Sequence, residues 1–263
     1  MRPRSNQLIV GPTGVGKTEI ARLLARELSV PFLELVFTDW LPMGSSGRGS
    51  THTWPMILRF VQRYEQGLIF VDEVDKAGDD NWTRYLQLEL FNLLDRKIPA
   101  NILDDDIDDD DDFDKRRQDV EQAQEKLRSS FLIVGAGAFQ ALHDQRSTEI
   151  GFTKSAPPKI ELNDLAAALP RELVNRFRAE LIAIPPLTRE DYLDLLRRSV
   201  AKMLPPVARA CSEIGRATLE SAFENQQGVR WLEEIALDAV IAVSSRPANY
   251  LSREESNQPD STK

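Results

Sequence analysis

The chain has 263 residues, 41% of them hydrophobic, with 42 acidic against 33 basic side chains and a formal charge of −9. That is enough apolar material for one large α/β domain, or for a core of about 180 residues with a smaller appendage. No apolar run approaches the ~18 residues of a membrane span, Met1-Arg2-Pro3-Arg4 leads into no signal-peptide core, and a single cysteine, Cys211, excludes an internal disulfide framework and a cysteine-rich metal site.

The two histidines, His52 and His143, lie too far apart for ligand spacing and read as surface or loop residues. The acidity is local, because the nine aspartates between Asp104 and Asp114 account for all of the excess. With no global basic stripe, non-specific nucleic-acid binding is disfavoured. The expectation is a soluble, cytoplasmic protein without membrane contact.

Gln7-Leu8-Ile9-Val10 is a short apolar run, the form of a buried parallel strand. Gly11-Pro12-Thr13-Gly14-Val15-Gly16-Lys17-Thr18 follows, matching G-x-x-x-x-G-K-[ST] at every fixed position. Ile20, Leu23, Leu24 and Leu28 then recur at helical spacing, so a helix opens where the loop ends. Such a loop turns backbone N–H groups around a phosphate at a helix N-terminus. Lys17 is positioned for the β- and γ-phosphates, and the Thr18 hydroxyl for Mg²⁺.

The first helix ends near Ser29, and Pro31 to Leu35 reads as a second strand. Trp40 to Ser50 is a glycine- and serine-rich loop, and Ile57 to Tyr64 a helix. Leu68-Ile69-Phe70-Val71 is a buried strand ending in Asp72-Glu73. At the carboxyl end of such a strand Asp72 steadies the metal and Glu73 polarises the attacking water. Together with the phosphate loop, the pair implies an ATPase core.

Trp82, Tyr85, Leu86, Leu90, Leu93 and Leu94 make an amphipathic helix. The aspartate tract, an insertion at about 101–115, reads as a solvated loop, and Lys115 to Arg128 as a charged helix. Phe131-Leu132-Ile133-Val134 is a further strand, ending in Gly135-Ala136-Gly137-Ala138-Phe139. Leu162 to Phe177 reads as helical with a break at Pro170, and Leu181 to Ile184 as the last core strand.

Pro185-Pro186 marks a boundary between a core at 1–185 and a small all-helical domain at 186–250. Thr188 caps the first helix of the latter with Asp191 at the capping-box position, and Tyr192, Leu195, Leu196 and Val200 share one face. The periodicity continues through Leu232, Ile235, Ala236, Ala239, Val240 and Val243. Residues 251–263 are polar and expected to be disordered. The predicted fold is α/β, a P-loop NTPase parallel sheet sandwiched by helices and followed by an all-helical lid.

The order of these motifs resembles the AAA+ ATPases, and within them the Clp-type unfoldases ClpX and HslU. Leu68 to Lys76 is similar to their L-I-x-x-D-E-[IV]-D-K, and Gly137-Ala138-Phe139 to the end of their sensor-1 strand. Leu173-Val174-Asn175-Arg176-Phe177 resembles the helix bearing their arginine finger, and Gly228-Val229-Arg230 the sensor-2 motif of the lid. The resemblance implies that Arg176 reaches the γ-phosphate bound by a neighbouring subunit, hence a homo-oligomer of hexameric ring form. It implies that Arg230 touches the same phosphates from the lid.

Three features depart from that branch. The aromatic pore loop is replaced by Gly44-Ser45-Ser46-Gly47, which offers almost none of the apolar contact that grips a threaded chain. Only ten residues precede Gly11, fewer than the family uses to cup the adenine. The aspartate tract stands where relatives carry a variable insertion. Ile150-Gly151-Phe152 resembles the tripeptide with which ClpX-type proteins dock on a ClpP-type peptidase, although two apolar side chains in a polar segment also suit the domain's own core. Two functions compete: an ATP-driven ring that remodels or unfolds protein substrates, and an ATP-controlled assembly switch without processive translocation. A DNA-loading role is the weakest of the readings.

Overall fold

A computed structural model of the protein describes residues 6–40, 53–77, 84–99, 110–140, 142, 160–178 and 181–245; of residues 84–86, 110–114 and 162 only the backbone is described. Gly44 to Gly47, Ile150-Gly151-Phe152, both histidines and the polar tail lie outside these residues. The chain divides into two compact units, Met1–Pro12 with Gly16–Pro185, and Thr13–Val15 with Pro186–Lys263.

The first unit is built on a five-stranded sheet in the order β2-β3-β4-β1-β5, with every pair parallel. The strands are β1 (Gln7–Val10), β2 (Phe32–Val36), β3 (Gly67–Asp72), β4 (Phe131–Gly137) and β5 (Ile182–Ala183). Helices α1 (Lys17–Glu27), α2 (Thr53–Arg63), α3 (Arg84–Leu94), α4 (Asp110–Ser130), α5 (Leu162–Leu165) and α6 (Arg171–Val174) connect them. A parallel sheet has to be covered on both faces, and the side chains of β3 divide accordingly. Ile69 and Val71 enter one buried cluster with Leu8, Val10, Phe131 and Ile133, whereas Leu68 and Phe70 enter another with Ile9, Val134, Ala21 and Ala25. Each fully buried aliphatic chain contributes on the order of 1.5–3 kcal/mol.

The expected helix after the glycine-rich loop is present, and three other expectations are corrected. Helix α1 buries Ala21 and Ala25 fully, with Leu24 partly buried against the same cluster. Ile20, Leu23 and Leu28 are 39%, 50% and 51% exposed, because small residues are what let the helix approach the sheet closely. The aspartate tract is not a loop throughout, since α4 already begins at Asp110. Acids in a first turn complement the partial positive charge of a helix N-terminus. The stretch 162–177 is two four-residue helices parted at Pro170, and Phe177 leaves the helix to form a parallel bridge with Asn6. The last strand shrinks to Ile182–Ala183, both exposed at the sheet's edge beside β1.

The second unit is all-helical among its described residues: α7 (Arg189–Val200), α8 (Pro205–Glu224) and α9 (Arg230–Ser244). The Asp191 amide donates to Thr188 Oγ1 at 3.2 Å, and the Thr188 amide to Asp191 Oδ2 at 2.7 Å, so the capping box forms. Tyr192, Leu196, Cys211, Leu219, Trp231, Leu232, Ile235 and Ala239 make the core. Tyr192 is 2% exposed; its hydroxyl donates to the Ala222 carbonyl at 3.3 Å and accepts the Gly228 amide at 2.7 Å, fixing the turn ahead of α9.

Candidate functional site

Crossing strand order creates the site. The chain runs outward from β1 to β2, returns through β3 and β4, and places β4 between β3 and β1. Ligands in open α/β sheets bind at the carboxyl ends of the strands, where strand order reverses. The glycine-rich loop leaves the carboxyl end of β1 and the acidic pair leaves that of β3. Small residues keep β4's end low between them. A Cβ on Gly137 would come within 2.5 Å of the Phe139 ring and 2.9 Å of Asp75 Oδ1.

Along the loop Gly11, Pro12, Gly16, Lys17 and Thr18 belong to the first unit, while Thr13, Gly14 and Val15 group with the second. Gly16 is the N-cap of α1 at φ 87°, ψ 27°, a left-handed conformation that strains any residue with a Cβ. That turn brings the chain abruptly into the helix. Lys17 is 9% exposed, and its ammonium donates to the carbonyls of Gly11 at 2.8 Å and Pro12 at 2.9 Å. The loop thus wraps around its own lysine.

A chain of hydrogen bonds joins four residues at the strand ends. Thr18 Oγ1 donates to Asp72 Oδ2 at 3.1 Å, across 54 positions of sequence. The Glu73 amide donates to Asp72 Oδ1 at 2.8 Å. Glu73 sits at φ 59°, ψ 31°, a left-handed conformation rare for a residue with a side chain. Its carboxylate accepts from Thr38 Oγ1 at 2.9 Å. Thr38 lies in the 3₁₀ turn Phe37–Trp40, immediately beyond β2. Two steps further on, Asp75 Oδ2 accepts the Phe139 amide at 3.3 Å, tying the acidic segment to the end of β4.

The Thr18 hydroxyl and the Asp72 carboxylate form a hard, all-oxygen donor pair that suits Mg²⁺. Among the described residues no group of three or more His, Cys, Asp or Glu gathers to hold a metal. Mg²⁺ characteristically keeps several waters and takes phosphate oxygens beside one or two protein ligands.

Arg176 stands apart from this cluster within the first unit. Its Nε and Nη2 donate to Asp95 Oδ1 and Oδ2, both at 2.9 Å, and Nη1 donates to the Glu172 carbonyl at 2.5 Å. The guanidinium lies 4.4 Å from the centre of the Phe91 ring. Arg230 is the first residue of α9 and is exposed.

From the sequence, Thr38 and Asp95 went unnoticed, and Asn6, within a stretch that resembles the start of the family's ATPase core, was given no role. Asn6 is 3% exposed and ties three segments together. Its Nδ2 donates to the carbonyls of Leu94 at 3.0 Å and Arg176 at 2.8 Å, its Oδ1 accepts Arg96 Nη1 at 2.9 Å, and its carbonyl accepts the Arg178 amide at 3.0 Å. Only its position directly ahead of an apolar strand could have drawn notice. Thr38 offered a hydroxyl just past a strand end, whereas Asp95 gave no local signal.

No helix among the described residues is long and apolar enough to cross a membrane. Residues 7–137 match the family model described as ATPase family associated with various cellular activities, AAA.

Proposed function

We propose, from the match of residues 7–137 to the AAA ATPase family model, that the chain hydrolyses ATP with Mg²⁺ at the ends of β1 and β3. We infer that it couples turnover to the remodelling or unfolding of protein substrates within a ring. The observation that carries the hydrolytic reading is the unbroken chain Thr18–Asp72–Glu73–Thr38 beside the glycine-rich loop. Mg²⁺, when bound, neutralises charge on the phosphates and orients them.

The protein's own residues supply the rest. Lys17 brings positive charge to the β- and γ-phosphates, and the loop's backbone N–H groups add donors. Thr18 and Asp72 offer oxygen ligands, with Asp72 held in place by the Glu73 amide. Glu73 accepts the proton of the attacking water, and Thr38 holds one oxygen of its carboxylate by a hydrogen bond. A substitution that removes a general base costs typically 10²–10⁴ in rate.

Arg176 serves a neighbouring subunit's γ-phosphate and Arg230 senses nucleotide from the helical unit; their match to the Clp-type motifs supports both roles. AAA proteins commonly assemble as rings, and a ring follows for this chain if Arg176 acts in trans; its hexameric form rests on the Clp-type resemblance alone. The Gly44-Ser45-Ser46-Gly47 loop favours a second reading, an ATP-controlled assembly switch that does not thread its substrate. Docking of a ClpP-type peptidase through Ile150-Gly151-Phe152 is a further element of the Clp-like reading.

Glu73→Gln is the deciding variant. It should keep nucleotide affinity and slow Mg²⁺-dependent hydrolysis about a hundredfold or more; unchanged turnover would mean that the acidic strand end is not the hydrolytic centre. Unfolding of a tagged globular substrate, followed beside hydrolysis, separates the two readings, since hydrolysis without unfolding leaves the switch.

A further inference from the structure

We propose that Asp95 is the resting counter-ion of Arg176, a latch within the subunit that has to be released before Arg176 can serve a phosphate. The proposal rests on the reading of Arg176 as a residue that acts in trans.

The geometry distinguishes a fixed root from a movable tip. At the root, Asn6 accepts the Arg178 amide, donates to the Arg176 carbonyl, and bridges through Phe177 to the start of β1. The backbone around Arg176 is thereby built into the sheet. The tip is held by side-chain contacts alone, apart from the Glu172 carbonyl one turn back. Asp95 takes the Nε–Nη2 edge with both carboxylate oxygens, and this is the edge that matches carboxylate or phosphate in bidentate fashion. Phe91 and Asp95 both come from the end of α3, one on its last turn and the other directly after it.

A carboxylate on that edge has two effects. It occupies the donors a phosphate would use, and it cancels most of the charge that would attract one. The side chains of Arg176 and Asp95 are 26% and 34% exposed, so the pair is neither buried beyond exchange nor freely solvated. Partly exposed pairs of this kind are weak enough to be displaced by a doubly charged phosphate group. Rotation of the Arg176 side chain therefore suffices to exchange ligands while its backbone stays in the sheet. A subunit without a neighbour keeps its arginine on Asp95; a neighbour's nucleotide competes for it.

The test uses the full chain and ATP with Mg²⁺. Asp95→Asn keeps the shape and one acceptor but removes the charge and the bidentate fork. Hydrolysis per subunit should rise about three- to tenfold at protein concentrations below saturation, with KM little altered, the scale set by one charge-assisted hydrogen-bonded pair. Arg176→Ala should be slow, and adding Asp95→Asn to it should change nothing further. Asp95→Glu should return the rate towards wild type. In solution, the Arg176 Nε–H proton should exchange slowly in the wild-type subunit and rapidly in Asp95→Asn, with equal melting temperatures showing that the fold is intact.

A slower or unaltered Asp95→Asn enzyme overturns the latch, as does rapid exchange of that proton in the wild type. If Arg176→Ala hydrolyses ATP at the full rate, the trans-acting reading falls and takes the latch with it. If Arg176→Ala is slow but Asp95→Asn is indistinguishable from wild type, the latch alone falls.

Discussion

Replacing Asn6 by alanine removes the node where β1, α3 and the Arg176 segment meet. The side chain is 3% exposed and makes three hydrogen bonds, all of which alanine loses. The two amide donations to the Leu94 and Arg176 carbonyls are neutral bonds, each of net worth about 1 kcal/mol. The bond accepted from Arg96 involves a charge and is worth about 1.5–3 kcal/mol. Arg96 is poorly placed to lose it. Its Nε and Nη2 are buried with no hydrogen-bond partner among the described residues, and burial already draws its guanidinium below the ordinary arginine range. We expect Asn6→Ala to cost the first unit about 3–5 kcal/mol, a large share of the roughly 5–15 kcal/mol of a typical domain.

Urea unfolding of the full chain, followed by far-ultraviolet circular dichroism and tryptophan fluorescence, reads the loss as a shift of the midpoint. In a unit of this size the same loss lowers Tm by about 10 °C. An Arg96→Met background supplies the control. There the charged bond is already gone, so Asn6→Ala should cost about 1.5–3 kcal/mol less than in the wild type. A loss below about 1 kcal/mol in the wild-type background, or equal losses in both backgrounds, would refute the assignment of Asn6 as a load shared among three segments.

Two further outcomes follow from the same geometry. Thr38→Val keeps the volume but removes the hydroxyl that holds Glu73; kcat should fall about tenfold with ATP binding unchanged, and Thr38→Ser should restore it. In the second unit, hydrogen bonds from the Thr188 hydroxyl and backbone hold the Asp191 carboxyl below the ordinary carboxylate range. A depressed folded-state value means that the capping contribution is present above the unfolded carboxylate's titration and lost as pH falls through the folded one. Thermal melts should therefore show the second unit losing stability below about pH 4, and Asp191→Asn should remove that share of the pH dependence.

The glycine-rich loop was legible from eight consecutive residues because its geometry is local. Gly16 must be glycine at φ 87°, and the helix that opens at Lys17 follows directly in sequence. The Asp72-Glu73 pair was legible for a related reason: an apolar strand that ends in acids presents them at the sheet's carboxyl edge. Thr188 and Asp191, three positions apart, likewise announced their capping box. Periodicity gave the helix α1 but not its buried face, since alanine carries little hydrophobic signal yet is what close packing on a sheet selects.

Everything that depends on distant segments meeting was decided by the tertiary structure. Thr38 and Glu73 are 35 positions apart, and they touch only because β2 and β3 are paired in register, Val36 beside Asp72. Arg176 and Asp95 are separated by 81 positions, and their pairing follows from Asn6 drawing the ends of α3 and α6 onto the start of β1. Sequence specifies directly what neighbouring residues do to one backbone. Which polar groups share a buried edge is settled only when the sheet's order and register bring them within hydrogen-bonding distance.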